Sequence, residues 1–429
     1  MNFFKNFLRY RTVFSFAGFA AAIALAGCSE ASRKSLPPET SSPAVPTVVM
    51  TPVSLSEDLL DRAPAVAAAK LRLQAARERL RLSGVLPDPM VTVEYMRVPV
   101  LGMDGIMVEL EQPLPRWGER DAERATANAT ITMAVSEYAA VRGRTMSAVQ
   151  TALIERRAAI ESVHLERDIA QRARVLAEVL IRSGVASGKS SVREPLALET
   201  RAAAAEVMAA QDERMAADAE GMANSTLGLT LGAVLPKIST PDPSGIDPLY
   251  APEVLIAIAR EFMAAGDERM ARSRSRPMVA VIGRWRQVGE EDDSSYEGGL
   301  RVSVPLWSNA YAGGISAAES TRMAAHHDRS SALFEATEML ARVRRTRAQA
   351  ALTKHWAEAA VIRLDSELDV LAAESAAGKA GATIMLFDRF DQLAEARRSI
   401  ITAEADADRA CASLWILAPA TTLPARNQP

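Results

Sequence analysis

The chain predicts a mainly helical protein with a small β part of membrane-spanning length, built as two copies of one strand-strand-long helix-helix unit. Three observations carry this reading. The same order of features runs over residues 86–227 and again over 276–417. Residues 118–183 and 308–377 are Ala-rich, helical in pattern and nearly free of breakers. Four short segments alternate apolar and polar with period two. In the first copy Val108-Glu109-Leu110-Glu111-Gln112-Pro113-Leu114-Pro115-Arg116-Trp117 leads into a long helix, and in the second Leu300-Arg301-Val302-Ser303-Val304-Pro305-Leu306-Trp307 does the same. Self-similarity over so long a period, with few matching residues, points to an old duplication of one supersecondary unit.

The elements follow in order. Residues 1–27 read as a secretory signal, with Lys5, Arg9 and Arg11 before an apolar run that is too short to span a bilayer. Leu25-Ala26-Gly27-Cys28 resembles a bacterial lipobox, which implies cleavage and lipidation at Cys28. Ser29 stands where an Asp would hold such a lipoprotein at the inner membrane, so the resemblance implies the outer membrane. Residues 28–53 are rich in Ser, Pro, Thr and Glu and form a tether that cannot bury enough apolar area to fold. Cys411 is the only other cysteine, which excludes a disulfide framework and reads as a small buried hydrophobe.

Residues 54–227 form the first repeat and 250–418 the second, joined by a Pro-rich linker over 228–249 and followed by a tail over 419–429. Residues 118–183 contain only Gly143 as a breaker. At ~1.5 Å per residue they make a rod of roughly 100 Å, and 308–377 make a second. Helices over 54–82 and 190–227, stacked end to end, match the first rod in length, and 252–275 with 383–418 nearly match the second, at the same ~1.5 Å rise. Each repeat therefore pairs one continuous rod with two coaxial shorter helices. The paired helices turn at Ser183-Gly184-Val185-Ala186-Ser187-Gly188-Lys189 and at Ala377-Gly378-Lys379-Ala380-Gly381.

In the strands, Val91, Val93 and Tyr95 oppose Thr92 and Glu94, and Ile106, Val108 and Leu110 oppose Glu109 and Glu111. Val279, Val281 and Trp285 oppose Arg284 and Arg286, and Leu300, Val302 and Val304 oppose Arg301 and Ser303. Each strand has about the length that a tilted transmembrane strand needs, with aliphatics for lipid and charge for a lumen. Trp117, Trp307 and Tyr311 follow the strand ends, where interfacial aromatics would sit at the headgroup level. Four strands cannot close a membrane barrel, and open edges in lipid cost several kcal/mol per unpaired backbone group, so the strands must join those of other copies.

Several motifs together resemble the TolC-type outer membrane factors. They are Ala63-Pro64-Ala65-Val66-Ala67-Ala68-Ala69, Leu86-Pro87-Asp88-Pro89, Gln112-Pro113-Leu114-Pro115, Ser183-Gly184 and Gly188-Lys189-Ser190-Ser191. The resemblance implies a homotrimer with a twelve-stranded barrel in outer-membrane lipid and a long α-helical barrel through the periplasm. It implies a passive duct served by a periplasmic adaptor and an inner-membrane pump of the RND type. It places adaptor docking at Ser183, Gly184, Ser187, Gly188 and Lys189 and at Ala377, Gly378, Lys379 and Gly381. It places the periplasmic gate near Glu194 and Asp388, beside Arg193 and Arg389. The Leu86-Pro87-Asp88-Pro89 and Pro113-Leu114-Pro115 corners resemble those of heavy-metal exporters more than those of drug or protein ducts.

Other classes find little support. With 50 Lys and Arg against 53 Asp and Glu the net charge is −3, and no basic patch interleaved with aromatics argues for nucleic acid. No P-loop, CxxC pair or nucleophile motif is present, so neither an enzyme nor a cofactor is expected. His326-His327-Asp328 lies on adjacent helix positions, which point apart, and reads as a solvated turn rather than a metal site. Met208, Met215 and Met222 fall at heptad spacing, which predicts a buried stripe rather than thioether ligands. A coiled-coil structural lipoprotein would not need the two-faced strands.

Overall fold

The computed structural model describes residues 57–98, 103–187, 193–230, 235–288, 294–305, 308–377, 379 and 381–418. Cys28, Gly188, Lys189, Trp307 and Gly378 lie outside the described residues, as do the signal, the tether and the tail.

Pro64 divides the first expected helix. A proline lacks an N–H and fits only the first helical turn, so the chain forms α1 (Glu57–Arg62) and restarts as α2 (Pro64–Leu82). Ala63, Val66 and Ala69 are buried there against Tyr138. The Tyr138 hydroxyl donates to Asp61 Oδ1 at 2.8 Å, and Lys70 Nζ donates to Oδ2 at 2.8 Å. Burial lifts the Asp61 carboxyl, but these hydrogen bonds outweigh it and hold the group below its ordinary value.

The remaining elements are β1 (Met90–Val98), β2 (Met103–Leu114), α3 (Glu119–Ser187), α4 (Arg193–Leu227), α5 (Pro252–Arg274), β3 (Met278–Val288), β4 (Ser294–Ser303), α6 (Ser308–Ala376) and α7 (Ala382–Ser413). The long helices α3 and α6 have 69 residues each. As expected, α3 carries α2 and α4 along its length, and α6 carries α5 and α7. In addition α3 packs on α5 and α7, so the two repeats share one wall.

The wall has a thin core of small side chains. Leu165, Ile169, Ala173, Leu198, Ala202, Phe390 and Ala394 cluster where α3, α4 and α7 run together. Higher up, the Pro-rich linker lays Leu229, Leu235 and Ile238 onto Met146, Val149 and Leu153 of α3. Gln150, fully buried, accepts from Ser239 N at 2.8 Å, and the Ser239 carbonyl accepts from Trp415 Nε1 at 3.0 Å. Gly143 does not break α3. It lets the chain turn at Leu414–Ile416 lie against the helix, because a Cβ there would overlap the Trp415 carbonyl oxygen.

Two expectations are corrected. Residues 183–187 are helix, the last turn of α3, so Ser183, Gly184 and Ser187 belong to the rod and not to the turn. A single Gly in an Ala-rich helix costs only about 1 kcal/mol, which the packing of a long rod overrides. The methionine stripe is not buried: Met208, Met215 and Met222 are 46%, 55% and 58% exposed on α4, because only the other faces of α4 meet α3. Cys411 is buried, and desolvation pushes its thiol above the ordinary value.

Candidate functional site: a two-faced sheet and a helical tip

The four strands form one antiparallel sheet in the order β1-β2-β3-β4. The pairing of β2 with β3 sews the two repeats together, while β1 and β4 are edges without a further partner strand among the described residues. All four strands meet the helices at one end, where Met90, Leu114, Met278 and Ser303 lie. Strands of 9 to 12 residues tilted by ~45° match an apolar band of about 25 Å.

The register sorts the side chains by face, because directly paired residues point the same way. One face carries the rows Val91–Leu110, Val93–Val108–Trp285–Tyr296, Val281–Leu300 and Leu114–Val279–Val302. Val91, Val93, Tyr95, Tyr296, Leu300 and Val302 are exposed there. The other face carries the rows Thr92–Glu109–Arg284–Glu297 and Glu94–Met107–Arg286–Ser295. Arg284 donates to Glu109 Oε2 through Nη2 at 2.7 Å and Nε at 3.0 Å, and Arg301 Nη2 donates to Glu109 Oε1 at 2.9 Å. Arg301 also pairs with Glu111. The sequence separated the two faces strand by strand. It did not show that the acids of the first repeat neutralise the arginines of the second. Glu109 and Glu111 in one repeat against Arg284 and Arg301 in the other were a legible signal for that pairing.

The corner motifs sit where the sheet becomes helix. Gln112 Nε2 donates to the Pro87 carbonyl at 2.7 Å, so Leu86-Pro87-Asp88-Pro89 and Gln112-Pro113-Leu114-Pro115 are one joint. Pro113 is tolerated because it lies one residue from the strand end. Trp117 is 85% exposed at this corner, and Tyr311 is half-buried on the first turn of α6.

At the far end of the rods, Gly381 (φ 81°) starts α7 in the left-handed region that glycine adopts freely. Ala377 and Lys379 are exposed in the same connection, and Lys379 Nζ pairs with Glu374 at 2.6 Å. Arg193 and Glu194 open α4. Asp388 is exposed and accepts from Gln392 Nε2 at 2.9 Å. Arg389 does not stand alone: its Nε pairs with Glu367 of α6 at 3.1 Å, stapling α7 to α6.

The strongest links near the tip lie on residues that sequence reasoning did not single out. Arg201 of α4 binds Asp391 of α7 through two hydrogen bonds of 2.9 and 2.7 Å and stacks on Phe387 at 5.0 Å. Hydrogen bonding to Asp391 raises the Arg201 pKa above its ordinary value. Arg397 bridges Asp168 of α3 at 2.9 Å and Asp365 of α6 at 3.2 Å. Glu166, 2% exposed on α3, accepts from Arg398 at 2.6 and 3.0 Å. Apart from Arg397–Asp365, these pairs join residues 190 or more positions apart, beyond the reach of any local pattern. The cluster at His326 is also a helix-helix link, with Nδ1 3.1 Å from Glu261 Oε1 and Arg329 Nη1 3.2 Å from Oε2. Among the described residues, no three His, Cys, Asp or Glu side chains are grouped to hold a metal ion, and no helix is long and apolar enough to cross a membrane.

Residues 55–222 match the family described as outer membrane efflux protein. Over those residues the chain is similar to the TolC-type outer membrane factors. The fold extends the match over both repeats. VceC, an outer membrane protein of Vibrio cholerae, superposes with a TM-score of 0.73 at 15% identity, covering 85% of this chain and 96% of its own. CusC, whose structures describe transmembrane channel formation, gives 0.69 at 13% identity over 84% and 91%. The open MtrE outer membrane channel of Neisseria gonorrhoeae gives 0.68 at 16% identity over 84% and 88%. Sequence comparison with curated proteins finds no match. The sheet and the long helices of this chain lie in one compact unit.

Proposed function

We propose that the chain is the outer-membrane exit duct of a tripartite efflux system, passively conducting cargo that an inner-membrane RND-type pump energises. The observation that carries this is the sheet. It is apolar on one face and charged on the other, with two open edges that lipid cannot satisfy. Three copies supply a closed barrel of twelve strands, whose lumen is lined by Glu109, Glu111, Arg284 and Arg301. The helices continue the wall into the periplasm. Channels of this family are trimers that work with adaptor and pump partners, which supports the same assembly here.

Cys28 carries the lipid in this reading, and Trp117, Trp307 and Tyr311 mark the inner headgroup level. Ser183, Gly184, Ser187, Gly188 and Lys189, with Ala377, Gly378, Lys379 and Gly381, meet the hairpins of the adaptor. Gating belongs to the α4 and α7 starts, at Arg193, Glu194, Asp388 and Arg389. The cargo is heavy-metal ions, a choice that rests on the two Pro corners. No residue of the duct need ligate the metal, because the pump and adaptor select it.

The test is growth of a deletion strain, with and without plasmid complementation, on Cu, Ag, Zn, Co and Cd salts beside dyes, detergents and antibiotics. Sensitivity confined to metals is expected. Sensitivity to hydrophobic compounds alone would refute the metal cargo and assign the duct to drug efflux. A purified protein that is monomeric and forms no conducting pore in a planar bilayer would refute the duct itself.

A further inference from the structure

The rim between sheet and helices holds two guanidiniums with no carboxylate partner. Arg120 Nε donates to the Gly84 carbonyl at 2.8 Å, and Arg276 Nη1 donates to the Trp117 carbonyl at 2.8 Å. Neither arginine has a carboxylate within ion-pair distance among the described residues, in contrast to Arg272, Arg284 and Arg301 nearby. Two glycines make these seats. Gly84 (φ 69°) turns its carbonyl to Arg120, and Gly118 (φ 82°) leaves room for Arg276, whose Nη1 lies 3.4 Å from where a Cβ would stand. Each arginine thus spends one N–H on a neutral acceptor and keeps its full charge, and both side chains belong to exposed residues. Both are held at the first turn of α3, one chain link beyond the apolar face of the sheet. Around them Leu82, Val85, Leu86 and Trp117 are exposed, Trp117 the most of all.

We propose that this rim binds the headgroup of an anionic phospholipid of the inner leaflet, with Arg120 and Arg276 on the phosphate and Trp117 with the leucines against the upper acyl chains. The site fixes the depth of the barrel and rests on the reading of the sheet as membrane-embedded. Charge argues for the occupant: two unneutralised guanidiniums beside apolar side chains match a phosphate diester carried on hydrocarbon, and a free anion would leave the apolar rim in water. Continuity with the lipid face of the sheet places the same surface at headgroup level.

The test uses the full mature chain, purified in detergent and presented with phosphatidylglycerol or phosphatidylcholine, with retained lipid counted by native mass spectrometry. Phosphatidylglycerol should be retained in preference by the wild type. The Arg120→Gln/Arg276→Gln variant, whose amides can still donate to the same carbonyls, should lose that retention by about 25-fold, at ~5-fold for each basic side chain. Arg120→Lys/Arg276→Lys should keep most of it. Equal retention of the two lipids by the wild type overturns the proposal without recourse to any variant, as does unchanged retention in the Gln variant. Displacement of phosphatidylglycerol by millimolar inorganic phosphate overturns the lipid assignment in favour of a free-anion site. Conductance of the same preparations in planar bilayers separates the two readings. A conducting wild type with no lipid preference loses this site alone, and a wild type that neither inserts nor conducts loses the duct and the site together.

Discussion

Val93 and Thr92 are neighbours in β1 that face opposite sides of the sheet, and an arginine at each should have opposite consequences. Val93 pairs with Val108 at the middle of β2, in the row that continues to Trp285 and Tyr296. In lipid, an arginine near the bilayer midplane costs about 2–4 kcal/mol per chain, or roughly thirtyfold or more in the assembled fraction. In a trimer the cost recurs in every subunit. Thr92 instead pairs with Glu109, whose carboxylate is already the acceptor for Arg284 and Arg301. An added guanidinium beside it has water and a carboxylate, and the change should stay within about 0.5 kcal/mol, as for surface substitutions. The assay is the share of protein recovered as oligomer in outer-membrane fractions on semi-native gels. Val93→Arg should be depleted and Thr92→Arg recovered like wild type. If Thr92→Arg alone fails, the faces are inverted. If both assemble normally, the sheet does not lie in lipid.

Further outcomes follow from the helices. Gly143→Ala should lower the thermal midpoint by circular dichroism, because the overlap with the Trp415 backbone costs about 1–3 kcal/mol and outweighs a helix-propensity gain of about 1 kcal/mol. Gly221→Ala, where nothing lies within 4 Å of the new Cβ, should raise it. A rise for both would remove the close packing of the C-terminal turn on α3. Arg397→Gln releases Asp168 and Asp365 together, a partly exposed pair of bridges of about 1–2 kcal/mol after allowance for solvent. It should loosen α7 from α3 and α6 and increase single-channel conductance, whereas unchanged conductance would free the gate from this network. Asp61 and Glu261 have folded pKa values held below the ordinary carboxylate values of 3.8 and 4.5: burial raises both, and hydrogen bonds from Lys70 and Tyr138 to the first, and from His326 and Arg329 to the second, outweigh it. The unfolded chain therefore binds these protons at higher pH than the folded one. Their stabilisation is full above the ordinary values and is lost as pH falls from those values through the lower folded ones. Asp61→Asn and Glu261→Gln should flatten acid unfolding in that window, and a curve as steep as wild type would deny both groups the role.

Much of the architecture was legible because it is periodic. Alternation separated Val91, Val93 and Tyr95 from Thr92 and Glu94, and that separation survives unchanged in the sheet. Ala-rich stretches with few breakers set both rods at nearly their observed lengths. Local chemistry misled where packing overrules it: Ser183-Gly184 resembled a turn, yet helix continues to Ser187. Met208, Met215 and Met222 have the spacing of a core stripe, yet they are exposed on the side of α4 that faces α7 across an open groove.

By itself the sequence determined the strand-strand-long helix-helix order of both halves and the two faces of each strand, since these follow from residue order and its periodicity. Only the tertiary structure decided which strand pairs across the repeats, which arginine meets which acid, and that Arg120 and Arg276 meet none among the described residues. Those outcomes depend on contacts between segments up to hundreds of residues apart. Their register is set by the packing of α3 against α5 and α7, at sequence separations where residue order carries no periodic signal.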